Sequence, residues 1–165
     1  VIAELGGAVA LRFDRAATLG LTVATTAEPL QDAAIAVVQQ LCVAEQCTLG
    51  TLHHRRKNPG NPLYKAIWAR MARDEAVHAR GGWLLLNWAW QGLSAAQREV
   101  VATHGREALA DVAQSDNRAA TLEETAFHPL SVFGSAGRQA YLAAAGQARD
   151  ETGALLQQWL MTGAA

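Results

Sequence analysis

The sequence predicts an all-α fold, and three observations carry that reading. The chain is rich in Ala, Leu, Gln and Arg, all good helix formers. Stretches with the period-two alternation of strands are nearly missing. The four prolines, Pro29, Pro59, Pro62 and Pro129, each fall where a helix would begin or end. With 165 residues, half of them hydrophobic and 18% charged, there is material for one helical domain, 1–165, and too little for two ordinary ones.

Residues 5–19 read as a first helical segment, weakened by Gly6 and Gly7, and Thr22 to Thr26 read as a linker. Residues 1–25 are therefore expected to be weakly structured, or the remnant of an upstream half. Pro29 suits the first turn of a long helix over 29–56, whose apolar positions Ala34, Val38, Leu41, Leu49 and Leu52 keep helical spacing. Asn58-Pro59-Gly60 stops it. Asn61 suits the N-cap and Pro62 the first turn of a second long helix over 62–91. Tyr64, Trp68, Met71, Ala72, Ala79 and Gly82 make one face of that helix. Ser94-Ala-Ala-Gln97 has the capping-box pattern, which opens a third helix to about Gln114. A short helix from Thr121 to Pro129 and a last one over 137–161, capped by Ser135, complete the reading. The core is placed in 29–114, with C-terminal helices in 121–162.

Composition excludes several classes of function. Lys plus Arg is 14 and Asp plus Glu is 15, a net charge of −1. No broad field is present to hold a nucleic-acid backbone or an anionic membrane. The most apolar run, 82–90, is about half a membrane span and contains Asn87, so it reads as buried helix. Cys42 and Cys47 lie five positions apart, on different faces of one helix, and no CxxC occurs. Sparse cysteine suits a reducing, cytoplasmic setting. No GxGxxG, P-loop or GxSxG is present. The chain starts at Val1, which fits a processed product or a fragment whose start lies upstream.

The chemistry is concentrated in Glu75-Ala-Val-His78. Residues at i and i+3 share one helix face, so this carboxylate and imidazole can reach one metal ion. Glu45 and Glu75 each lie fifteen residues from Gly60. At ~1.5 Å per residue, both stand roughly 22 Å from the turn of an antiparallel hairpin and should face each other. Two facing carboxylates in an apolar stripe repel unless a cation lies between them, and an O, O, N donor set suits iron or manganese. The bland alternative is a Glu–His ion pair without metal.

Glu45 followed by Glu75-x-x-His78 on two antiparallel helices resembles half of a ferritin-like diiron carboxylate site. Ala72-Arg-Asp-Glu-Ala-Val-His-Ala-Arg-Gly-Gly-Trp83 is similar to the metal-binding helix of bacterial ferritin-like proteins, and Cys42-Val-Ala-Glu45 to the helix before it. The resemblance extends over residues 29–109. It implies a helical bundle built around a long antiparallel hairpin, with Glu45, Glu75 and His78 as metal ligands and two iron ions, or manganese, in a complete site. The activities implied are O₂- or peroxide-dependent oxidation and ferroxidase chemistry. Only one Glu-x-x-His is present, and Glu4-Leu-Gly-Gly7 has glycine where a second histidine would stand. The other ligands are expected upstream of Val1 or from another chain, a homodimer giving four Glu and two His, as in two-helix encapsulated ferritins. A degenerate site in a metal-free scaffold or interaction module is the alternative.

Other candidates are weaker. Cys42 is expected level with His78, as a small buried hydrophobe. His104 and Glu107, and Glu124 and His128, have ligand spacing, but Pro129 and loop-like surroundings make the second pair a poor platform. His53 and His54 join Arg55, Arg56 and Lys57 at a basic helix end. Trp68, Trp83, Trp88 and Trp90 read as core and interface anchors, with Trp88 and Trp90 as candidates for a subunit contact.

Overall fold

The computed structural model describes residues 28–57, 62–121 and 137–162. Every described element is a helix. Helix α1 covers residues 29–57 in three consecutive parts: α-helical Pro29–Ala36, π-helical Val37–Glu45 and α-helical Gln46–Lys57. Helix α2 is Pro62–Gly92, α3 is Ala95–Ala120 and α4 is Arg138–Thr162. The readings made for residues 1–25, Asn58-Pro59-Gly60, Asn61 and Ser135 lie outside the described residues. So does the short helix from Thr121 to Pro129, apart from Thr121, which ends α3.

Local chemistry sets the helix starts. Proline occupies the first turns of α1 and α2, where its missing N–H removes no helical hydrogen bond. Ser94 opens α3 with the full reciprocal box: its Oγ accepts from the Gln97 N–H at 3.3 Å, and Gln97 Oε1 accepts from the Ser94 N–H at 2.8 Å. Gln97 Nε2 also donates to Glu28 Oε2 at 3.1 Å, tying the start of α3 to the start of α1. The expected end of α3 near Gln114 is too early. The helix continues to Ala120, and in this extension Asp116 pairs with Arg149 of α4 at 3.1 Å.

Helix α1 lies at the centre, packed by α2 on one side and by α3 and α4 on the other. Ala34, Val38 and Cys42 of α1, Leu86 and Trp90 of α2, Val101 of α3, and Leu156 and Trp159 of α4 form the main core. Trp159 is its largest wholly buried side chain. It packs edge-on to Trp90 with centroids 4.4 Å apart, lies 6.1 Å from Trp83, and donates its Nε1–H to Asn87 Oδ1. Trp90 thus belongs to the core, and Trp88 alone of the expected contact pair is exposed, at 69%. Met71, expected on the packed face of α2, is 39% exposed. By length and composition, Pro29–His53 could cross a membrane; it is also the helix that the other three pack against.

Helices α1 and α2 run antiparallel. A Cβ built on Gly92 would meet Leu30, one built on Gly82 would meet Leu41, and Glu45 reaches His78. At Gly82 that Cβ would lie 2.5 Å from the Leu41 Cβ and 3.1 Å from its carbonyl carbon, so this close crossing requires glycine.

Candidate metal centre

The close crossing at Gly82 brings the predicted ligands together one helical turn away. His78 Nδ1 lies 3.3 Å from Glu45 Oε2 and 3.7 Å from Glu75 Oε2. One ligand atom from each of the three residues lies within 4.8 Å of the other two. No other group of three or more His, Cys, Asp or Glu side chains converges in this way among the described residues.

The register differs from the expected one. Glu45 stands opposite His78, with Glu75 one turn closer to the hairpin end. The same offset holds where the backbones touch, since Gly82 meets Leu41, so α1 residues stand opposite α2 residues numbered three higher than the count from Gly60 gives. Cys42 is consequently not the partner of His78. It lies in the hydrophobic core, where burial pushes its thiol pKa up to about 12.

The three candidate ligands differ in exposure. The side chains of Glu45 and Glu75 are 30% and 24% exposed, and that of His78 is 57% exposed. The Glu45 Oε2 atom is itself buried and accepts no hydrogen bond. Burial raises the Glu45 pKa above the ordinary carboxylate value; His78 draws it back, and Glu75 adds a smaller rise. An orphaned buried carboxylate oxygen is costly, and a bound cation would relieve it.

The π-helical stretch ends on Glu45 itself. Such i→i+5 segments are rare and occur frequently at functional sites. They place consecutive side chains differently from an α-helix, and here Cys42 and Val43 are both buried while Glu45 still reaches α2. Sequence periodicity carries no signal for this segment. The adjacent pair Gly81-Gly82 in mid-helix was the available clue to a close approach.

The remaining candidates do not join the centre. His104 Nδ1 pairs with Glu107 Oε2 at 3.2 Å and lies 3.5 Å from Gln39 Nε2, and among the described residues the pair belongs to no group of three candidate ligands. Glu124, His128 and the side chain of His54 lie outside the described residues, and His53 is exposed. Compared with protein-family models, with curated proteins and with solved structures, the chain finds no match.

Proposed function

We propose that this chain is a ferritin-like, non-haem metal protein in which Glu45, Glu75 and His78 hold iron or manganese as part of a two-metal centre. Its activity would be O₂- or peroxide-dependent oxidation, with Fe(II) itself or an organic molecule as substrate. The observation that carries this reading is the convergence of three ligand atoms within 4.8 Å around a buried carboxylate oxygen that accepts no hydrogen bond. The O, O, N set fits iron and manganese, and a metal offsets the repulsion between the two carboxylates. Bound iron would supply the electrons for reducing O₂ or peroxide. The residues of the chain do the rest. Glu45 and Glu75 neutralise the cation, His78 fixes one ligand position, and the α1–α2 crossing at Gly82 holds the two helices at ligand distance.

One observation favours a second reading, a metal-free scaffold or interaction module. His78 lies at ion-pair distance from both carboxylates, so a protonated imidazole alone balances part of their charge. Anaerobic titration with Fe(II) or Mn(II), followed by calorimetry, separates the two. The metal reading expects saturable binding by the parent protein and at least a tenfold loss in His78→Ala and in Glu45→Ala. A parent protein that takes up neither metal, and whose melting temperature ignores chelator, establishes the scaffold reading instead.

A further inference from the structure

The side of α1 turned away from α2 borders a cavity of about 330 Å³ between α1, α3 and α4. Small-molecule sites begin at roughly this size. Leu52 of α1, Val112 of α3 and Ala145 of α4 give it apolar walls, and Tyr141 brings an aromatic ring. Its polar lining is rich in acceptors. The Thr48 and Thr51 hydroxyls line it and donate to the Ala44 and Cys47 carbonyls, at 2.9 and 3.2 Å. Their protons are thus engaged, while their oxygens keep lone pairs for a donor.

Asp116 is the charged group on that lining, and its side chain is only 13% exposed. Its Oδ2 accepts from Arg149 Nη1 at 3.1 Å, and among the described residues its Oδ1 accepts no hydrogen bond. Arg149 stands off the lining, and its other terminal nitrogen lies 3.7 Å from Asp150. Two carboxylates therefore share one guanidinium, and a further cation on Asp116 would balance them. The Cys47 thiol also lines the cavity, but burial raises its pKa, so it stays protonated and adds no charge. Among the described residues no Lys, Arg or His lines the cavity. Nor does Asp116 belong to a group of three metal-ligating side chains, and the apolar walls give a bare metal ion nothing to bind.

We infer that this cavity binds a small organic ammonium ion, a primary amine whose charged head sits on Asp116 and whose apolar body packs against Leu52, Val112 and Ala145. The N–H donors of an ammonium suit a lining of acceptors, namely Asp116 Oδ1 and the Thr48 and Thr51 oxygens. An aromatic ring such as that of Tyr141 attracts a cation as well. A carboxylate ligand would meet Asp116 with like charge, and an alcohol would leave the charge unbalanced. The site uses none of Glu45, Glu75 and His78, so it stands or falls apart from the metal centre.

Calorimetry in excess chelator, where no metal can hold an amine, tests this with three probes of similar shape: phenethylamine, 2-phenylethanol and phenylacetate. The parent protein should bind phenethylamine saturably and at least tenfold more tightly than 2-phenylethanol, and should not bind phenylacetate. Asp116→Asn should lower the affinity for the amine to that for the alcohol. Thr51→Val, which leaves the Asp116–Arg149 pair in place, should weaken the amine about threefold. On adding phenethylamine, the methyl NMR signals of Val112 and Ala145 should shift, while that of Ala79 on α2 should not. Should Asp116→Asn fail to fold, the probe series on the parent protein and Thr51→Val still decide. Equal binding of amine and alcohol overturns the inference, as does tighter binding of phenylacetate. Binding that leaves Val112 and Ala145 unshifted lies elsewhere and overturns it too, and so does a parent protein that does not bind phenethylamine saturably.

Discussion

The two sides of helix α1 solve the same packing problem differently. Toward α3 and α4 the packing is apolar and hydrogen-bonded, beside an open cavity of about 330 Å³ lined by Cys47, Thr51, Leu52, Val112 and Asp116. Cys47 Sγ lies 3.5 Å from Thr152 Oγ1, the Thr152 hydroxyl donates to the Ala148 carbonyl at 2.7 Å, and Gly50 lets Ala148 approach. Toward α2 the crossing is equally close at Gly82, yet one turn away it holds two carboxylates and an imidazole, and the Glu45 Oε2 atom that faces His78 at 3.3 Å accepts no hydrogen bond. The contrast sets the candidate metal centre on the α2 side apart from the packing on the other.

Perturbing the core and the Gly82 crossing in turn tests that division. The largest expected effect is in the core, where Trp159 of α4 packs against Trp83 and Trp90 of α2. Trp159→Ala removes the ring packed between Trp83 and Trp90 and should cost about 3–5 kcal/mol, read from urea unfolding. The Mn(II) affinity of the protein that remains folded should change little. At the crossing, Gly82→Ala forces a Cβ against Leu41 and should cost about 1–3 kcal/mol. Here, unlike at Trp159, metal affinity should fall at least tenfold in the folded protein, because the helices that carry Glu45 and His78 must move apart. Equal loss of affinity in the two variants would erase the distinction between the core and the crossing.

Much of this architecture was legible in the residues. Pro62 and the Ser94–Gln97 box mark helix starts because each satisfies or removes orphan N–H groups within a few residues of chain. The convergence of Glu45, Glu75 and His78 was legible because hairpin symmetry needs only a turn position and a helical rise. What was not legible depends on contacts distant in sequence. Past Gln114, Asp116 of α3 is paired with Arg149, thirty-three residues further on. Trp159 sits among ordinary helix formers, and nothing local marks it as the largest wholly buried side chain among the described residues. The register of Glu45 against His78 follows the backbone contact of Leu41 with Gly82, which the count from Gly60 could not place.

The next effect is smaller and tied to pH. The Glu45 carboxyl has a raised pKa in the metal-free fold, so between its unfolded value, about 4.3, and that higher value the folded state binds more protons than the unfolded one. Stability of the metal-free protein therefore falls as pH rises through this window. Glu45→Gln removes the dependence, so in chelator the variant should melt slightly above the parent at neutral pH and level with it below pH ~4. A variant that melts below the parent at neutral pH would place Glu45 among the stabilising ion pairs instead. Smallest of all is the expected response of the cysteines. Burial raises both thiols, Cys42 to about 12, so alkylation at pH 8 should leave both unmodified until denaturant is added.

The π-helical stretch has a consequence for how such a centre arises or disappears. Each i→i+5 turn loops one more residue than an i→i+4 turn, so the segment carries surplus chain relative to a plain helix. Deleting a single residue between positions 37 and 45 allows the stretch to relax to α-helical winding. Because the residue removed is a surplus one, Ala34 before the stretch and Glu45 after it can keep the faces they now present. An in-frame loss of one codon here is thus absorbed by the winding, whereas the same loss inside the α-helical Pro62–Gly92 would turn one flank by about 100° against the other and carry core and candidate ligands apart.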